Sequence, residues 1–198
     1  MRRTRLAIVT TLICGAGMLT GCQGEHRPVD RTPLPTVAAP PYICEYVPLR
    51  AVELMTGVRD PLVRGYFDLT SAGGLGDGVC AVYQRGGDRL KVLLVDLTPG
   101  GYPGQIKEDL DGGASPLPEI VPGSIGSYFR RASGENNAAF ARLVRGKAEL
   151  SVQLEIGVEG RNNAADVAAL MKLIAPKLIT PASAPSASPS TSPSPKKG

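Results

Sequence analysis

Histidine and tryptophan are nearly missing from this chain, and their scarcity excludes several kinds of catalytic device. Among 198 residues there is one histidine, His26, and no tryptophan. His26 lies in a proline-rich stretch near the N-terminus, outside the part of the chain that has globular patterning. A Ser-His-Asp or Cys-His device inside a folded domain is therefore excluded.

A net positive charge is also missing from the part of the chain that is expected to fold. The whole chain carries a net charge of +4, but arginines within the first five residues and lysines near the C-terminus contribute to it. Residues 42–179 contain 15 Lys and Arg against 16 Asp and Glu, a net charge of −1. This segment has no cluster of cations with interleaved aromatic residues, so we expect no nucleic-acid partner.

The N-terminus has the layout of a secretory signal peptide over residues 1–21. Arginines precede a mostly apolar run, residues 6–19, which is too short to span a bilayer. The run ends in Leu19, Thr20, Gly21 and Cys22, which resemble the lipobox of bacterial lipoproteins. The resemblance implies cleavage before Cys22 and lipid on its thiol, which would hold the protein on the extracytoplasmic face of the cell membrane.

Alternatives to this interpretation are an uncleaved anchor helix and a conventional cleavage site in which Cys22 is incidental. Export by the general secretory route and export by the twin-arginine route both fit Arg2 and Arg3.

Composition divides the rest of the chain into three parts. Residues 22–41 are polar and proline-rich, and they predict an extended, lipidated leash. Residues 180–198 are rich in Ser, Pro and Ala and have too few large apolar groups to offset ordering entropy, which predicts a disordered tail. Between them, residues 42–179 are enough for a single domain with one core.

Apolar periodicity within the domain predicts three helices and two runs of strands. The clearest signal is residues 147–158, where apolar and polar side chains alternate, as in a strand with one buried face. Asn162 or Asn163 is expected to cap a closing helix that continues to Leu178. The other helices are expected at 48–55 and 104–110, and the other strands at 63–69, 79–84, 90–97, 126–132 and 138–145.

The predicted fold is α+β, in the order α-β-β-β-α-β-β-β-α. Strands joined by hairpins favour a largely antiparallel sheet with helices packed on one side. The near-duplication of the β-β-β-α unit also hints at an internal repeat.

The four cysteines are expected to have different fates. Cys14 leaves with the signal peptide and Cys22 takes lipid, so Cys44 and Cys80 remain in the domain. Export to an oxidising space favours a disulfide between these two, which would stabilise the domain by roughly 3 to 4 kcal/mol. A pair of buried free thiols is the alternative. A metal site is less favoured, because two cysteines without a domain histidine cannot complete tetrahedral ligation unless carboxylates join them. We expect no metal and no cofactor.

These features together resemble those of small actinobacterial exported lipoproteins that carry an uncharacterised domain of unknown function. The shared features are the lipobox, the proline-rich leash, Cys44 just before a short helix ending in Gly57, Cys80 on a strand, and the alanine-rich closing helix. Members often place an aromatic residue, commonly Trp, shortly after the second cysteine, whereas here Ala81, Val82 and Tyr83 follow Cys80. The resemblance implies location and fold and no particular activity.

Two further features bear on catalysis. Carboxylates near strand ends or turns are candidates for a glycosidase pair, and they are Asp68, Asp77, Asp88 and Asp96. Solvated strand-end acids are the commoner interpretation.

Residues 73–78, Gly-Gly-Leu-Gly-Asp-Gly, resemble a phosphate loop only in their glycines, because they precede the strand at Val79 and lack the Lys-Ser/Thr ending. A mobile loop between strands is favoured.

Three classes of function remain. Our hypothesis is a non-catalytic binding or sensing module at the cell envelope, with an unknown ligand. The alternative is a protein–protein docking subunit, and the third is a carboxylate-based hydrolase. A binding module should have an apolar pocket with a few convergent polar groups. A docking subunit should have an exposed apolar patch or an unprotected sheet edge.

Overall fold

The computed structural model describes residues 29–131 and 136–184. The predicted signal peptide, the lipobox with Cys22, and residues 185–198 of the tail lie outside the described residues. In the described part of the chain, no helix has the length and apolar character needed to cross a membrane.

Strands and helices alternate along the described chain almost as predicted. The helices are Leu49–Thr56 (α1), Ser71–Gly74 (α2, a single irregular turn), Pro103–Asp111 (α3) and Asn163–Leu178 (α4), followed by a 3-10 turn at Pro181–Ser183. The strands are Tyr42–Ile43 (β1), Val47–Pro48 (β2), Leu62–Asp68 (β3), Asp77–Tyr83 (β4), Lys91–Thr98 (β5), Ser115–Pro116 (β6), Ile125–Arg130 (β7), Ala139–Arg145 (β8) and Ala148–Leu154 (β9).

Seven of these strands form one antiparallel sheet, in the order β3-β4-β5-β9-β8-β7-β6. Two three-stranded meanders, β3-β4-β5 and β7-β8-β9, join at the centre of the sheet, where β5 pairs with β9 and Val95 lies opposite Val152, and the short β6 adds a seventh strand beside β7. The α+β class and the order α-β-β-β-α-β-β-β-α are confirmed. The structure adds α2, the β1–β2 hairpin and the two-residue edge strand β6.

The core lies on one face of this sheet, under α1 and α4. Alternation along β9 buries Leu150, Val152 and Leu154, and their cross-strand neighbours on β5 and β8 are buried beside them. Helix α4 places Leu170 and Ile174 in the same cluster, and its first turn is capped by the Asn162 side chain, which accepts a hydrogen bond from the Ala165 amide. The cap at Asn162 was one of the two predicted positions.

The predicted disulfide between Cys44 and Cys80 is confirmed, with 5.9 Å between the two Cα atoms. It ties the β1–β2 hairpin to the second strand of the sheet. Cys80 is fully buried in the core, and Tyr46 of the hairpin meets Phe67 of β3 edge-on at 6.1 Å between ring centroids.

Packed structure extends past both predicted ends of the domain. Leu34, which we assigned to the leash, is 7% exposed and belongs to the core cluster. Arg161 fastens the same segment by donating hydrogen bonds to the carbonyl oxygens of Asp30 and Thr32. At the other end, Ser183 is 2% exposed, and its hydroxyl accepts from Arg145 Nη1. The folded unit therefore reaches from Leu34 to Ser183, beyond both ends of the predicted 42–179.

Candidate functional site

Helix α3 lies on the face of the sheet opposite the core. Its Asp109 carboxylate accepts hydrogen bonds from Ser127 Oγ of β7 at 2.8 Å and from Arg142 Nη1 of β8 at 3.2 Å. By register, Ser127 and Arg142 point away from Leu143 and Leu150, which are in the core. The prediction of helices on one side thus holds for α1 and α4, and α3 forms a third layer over β7 and β8.

Local sequence explains where α3 begins and ends. Pro103 occupies the first turn, where its missing N–H costs no hydrogen bond. Gly104 leaves room for the Tyr102 ring, because a Cβ there would come within 2.3 Å of it. The amide of Gly112 closes the helix on the Glu108 carbonyl. Ile106 is the buried residue of α3, and its side chain is 2% exposed.

An apolar pocket of about 640 Å³ opens along one side of α3, toward β7 and the segment before it. Its apolar walls include Ile106 and Leu110 of α3, Leu117 of the loop, and Ile125 of β7. Gly126 also lines it, and a Cβ on this glycine would lie 2.8 Å from Leu117 Cδ1. Leu110 and Ile125 are 37% and 48% exposed, so apolar surface faces solvent at the pocket mouth.

Polar groups at this pocket are already paired with one another. Lys107 Nζ lies 2.6 Å from Asp111 Oδ2, and the Glu119 carboxylate accepts from the Gly123 amide. The Ser124 hydroxyl accepts from two backbone amides of the loop. The surface that the pocket leaves free is therefore mainly apolar.

A second, polar cleft of about 340 Å³ lies on the other side of α3, over the centre of the sheet. Arg142 lies within it, with Nη1 3.2 Å from Asp109 Oδ2 and Nε 2.8 Å from Glu149 Oε1. The Nε contact is close but lacks the alignment of a hydrogen bond. The guanidinium also lies 5.0 Å from the centre of the Phe140 ring. Arg142 thus holds α3 to the sheet and neutralises charge in the cleft.

Asp96 of β5 also lines the polar cleft, and its surroundings disfavour the ionised carboxyl. Partial burial, followed by the charges of Asp77 and Glu149, raises the pKa of Asp96 above its ordinary value. By contrast, hydrogen bonds from the Thr70 hydroxyl and amide lower the pKa of Asp68 at the sheet edge.

The four candidate carboxylates do not all come together. Asp68 and Asp77 are direct cross-strand partners, and the charge of Asp77 reaches Asp96 on the next strand. Asp88 lies apart, exposed in the turn between β4 and β5. Among the residues that the structure describes, no group of three or more His, Cys, Asp or Glu is placed to hold a metal ion.

The glycine-rich segment, residues 73–78, runs from α2 into β4. It packs on the segment that follows α4, because Thr180 Oγ1 donates to the Gly74 carbonyl, and a Cβ on Gly74 would lie 3.1 Å from Ala182 Cβ. As the sequence indicates, it opens a strand and not a helix, so it lacks the dinucleotide arrangement.

Sequence reasoning missed both cavities, since their walls come from segments that are distant along the chain. Ile106 and Leu110 have helical spacing, which is a signal for one apolar side of α3. Nothing in the proline-rich loop shows that Leu117 will meet that side. Comparisons with known proteins add no assignment: no protein-family model, curated protein or solved structure matches the chain.

Proposed function

We propose that this chain is a lipid-anchored, extracytoplasmic binding protein that takes a small apolar or amphipathic molecule into the pocket beside α3. The apolar pocket carries this proposal. Its volume of about 640 Å³ falls within the range of small-molecule sites. The lipobox ending in Cys22 supports anchoring at the cell membrane, and the Cys44–Cys80 disulfide fits an oxidising compartment. Membership of the actinobacterial lipoprotein family is part of the same proposal.

The energetics of such a site are those of apolar burial. Each square ångström of apolar surface removed from water contributes about 25 cal/mol. Because Lys107, Asp111 and Glu119 are paired locally, a ligand can enter without breaking a buried ion pair. The proposed role is recognition without covalent chemistry.

The test uses residues 23–198 fused behind a cleavable secretory signal peptide, and this segment retains every core residue from Leu34 to Ile179. Protein exported and purified from its own host is examined by native mass spectrometry for a retained molecule. We expect an added mass that is lost in Leu110→Ser and Ile125→Ser, which remove apolar wall at the mouth.

Val79→Ser is the matched control, because Val79 is 37% exposed, as Leu110 is, but lies on β4 and does not line the pocket. It should keep the added mass. Equal loss in Val79→Ser and Leu110→Ser, or no bound molecule in any sample, would contradict the assignment of this pocket.

A docking role is the second candidate, and the outer edge of β3 favours it. This seven-residue strand ends the sheet, and Tyr66 on it is 72% exposed. Exposed strand edges are common sites of pairing with another chain. A photo-crosslinking residue at position 66 should capture a discrete envelope protein if docking is the role, whereas the same residue at position 110 should not.

The hydrolase is the third candidate. Asn replacements of Asp68, Asp77, Asp88 and Asp96, one at a time, test it against turnover of cell-wall glycans. Loss of a catalytic carboxylate costs orders of magnitude in rate.

A further inference from the structure

Three polar side chains in the polar cleft have no partner in the described residues. Ser151 is 5% exposed, yet its hydroxyl makes no side-chain hydrogen bond there. Gln153, two residues along the same strand, and Asp96 on β5 are likewise without a hydrogen bond or ion pair. Asp96 lies directly opposite Ser151 in the β5–β9 register, so all three project from one patch of the sheet.

The positively charged side chains in and around this patch are already paired with carboxylates. Arg142 of β8 is shared between Asp109 of α3 and Glu149 of β9. Arg131, which also lines the cleft, pairs with Glu155 at 3.4 Å. The cleft therefore has more carboxylates than free cations, and Asp96 is the carboxylate left without a counter-ion.

We infer that the polar cleft binds a small organic cation through a primary ammonium group. An ammonium has three N–H donors. The patch offers three acceptors: the carboxylate of Asp96, the hydroxyl of Ser151 and the amide oxygen of Gln153. The apolar stem of the ligand then lies toward Phe129, which lines the same cleft. This site is separate from the apolar pocket and does not depend on the proposed function.

The electrostatics support the same ligand. Partial burial, Asp77 of β4 and Glu149 of β9 raise the pKa of Asp96, and the nearby Arg142, Asp109 and Arg131 are engaged in their own contacts. A bound cation would offset the repulsion that the ionised carboxyl meets. Affinity should fall at low pH, because protonation of Asp96 removes the counter-ion.

The test is calorimetric titration of the intact chain in detergent with butylamine, and with 1-butanol as the uncharged match. We expect saturable binding of butylamine with a Kd of about 1 mM or lower, and at least a tenfold preference over 1-butanol. Asp96→Asn should weaken butylamine binding at least tenfold, and Ser151→Ala should weaken it severalfold. Asp88→Asn, which changes an exposed aspartate in a turn, should bind as the wild type does.

Thermal unfolding separates a lost site from a lost fold. Asp96→Asn should melt no lower than the wild type at neutral pH, because it removes a disfavoured charge. The inference is overturned if Asp96→Asn binds butylamine as tightly as the wild type. It is also overturned if 1-butanol binds equally well, which would indicate a neutral hydroxylated ligand, or if butylamine gives no saturable heat.

Discussion

Removing the bridge between Cys44 and Cys80 should destabilise the protein by an amount that the structure allows us to calculate. The two cysteines are separated by 36 positions in sequence. Closing a loop of that length restricts the unfolded chain by an entropy equivalent to about 4 kcal/mol at 25 °C. For a chain of this size, each kcal/mol corresponds to roughly 2–4 °C in Tm. We therefore expect the bridge to raise the Tm by roughly 8–16 °C.

Cys80 is fully buried, so a reductant reaches the disulfide only when the protein is unfolded. Wild-type protein is unfolded with and without a reductant, refolded, and melted while far-ultraviolet circular dichroism is recorded. This comparison removes no atom from the core, so the difference in Tm reports the bridge alone. Cys44→Ala should show a loss at least as large.

Two results would refute this reasoning. One is a Tm that changes by less than about 2 °C on reduction, well below the range worked out from the loop. The other is rapid labelling of both cysteines in natively exported protein that has never been unfolded.

Three further predictions concern the ends of the fold, the polar cleft and the anchor. Leu34→Ala should lower the free energy of unfolding by about 2 kcal/mol or more, because Leu34 is buried in the core. A urea titration measures this, and an unchanged midpoint would show that the segment around Leu34 belongs to the leash and not to the folded domain. Asp96→Asn should raise stability at neutral pH by no more than about 0.5 kcal/mol, because solvent screens the charge of this partly buried carboxyl. The raised pKa of Asp96 means that the folded state loses stability as pH rises through that pKa, so the gain should vanish in melts below pH 3.8, the ordinary value. Cys22→Ser should release or mislocalise the protein, which blots of membrane fractions decide; undiminished membrane retention would contradict lipid anchoring.

Local patterning was sufficient to predict most elements of the sheet. The alternation along β9 identifies one buried and one wet face, and glycines and prolines mark the turns around it. The predicted strand over 147–158 ends at Leu154 because regular pairing with β5 stops there: the amides of Glu155 and Ile156 both donate to the Val92 carbonyl of β5, and the Val158 amide then donates to Met55 of α1. Such a change of partner leaves no trace in the apolar pattern.

Contacts between distant segments were beyond the reach of the sequence. Asp109 bonds to Ser127 and Arg142, which are 18 and 33 residues away, and these bonds place α3 on the second face of the sheet. The apolar pocket and the polar cleft both depend on that placement. Leu34 was similarly hidden, since a single apolar residue among prolines has no periodicity to show that it is buried.

Methyl NMR of residues 23–198 would test whether the apolar pocket is a ligand site. Isoleucine and leucine methyl groups are observed during titration with decanoate, a molecule with a simple apolar chain. Saturable shifts should be confined to the methyl groups that wall the pocket, those of Ile106, Leu110, Leu117 and Ile125. Unchanged signals from these four residues, or shifts concentrated at Leu94 of β5, which does not line the pocket, would show that the pocket is not the binding site.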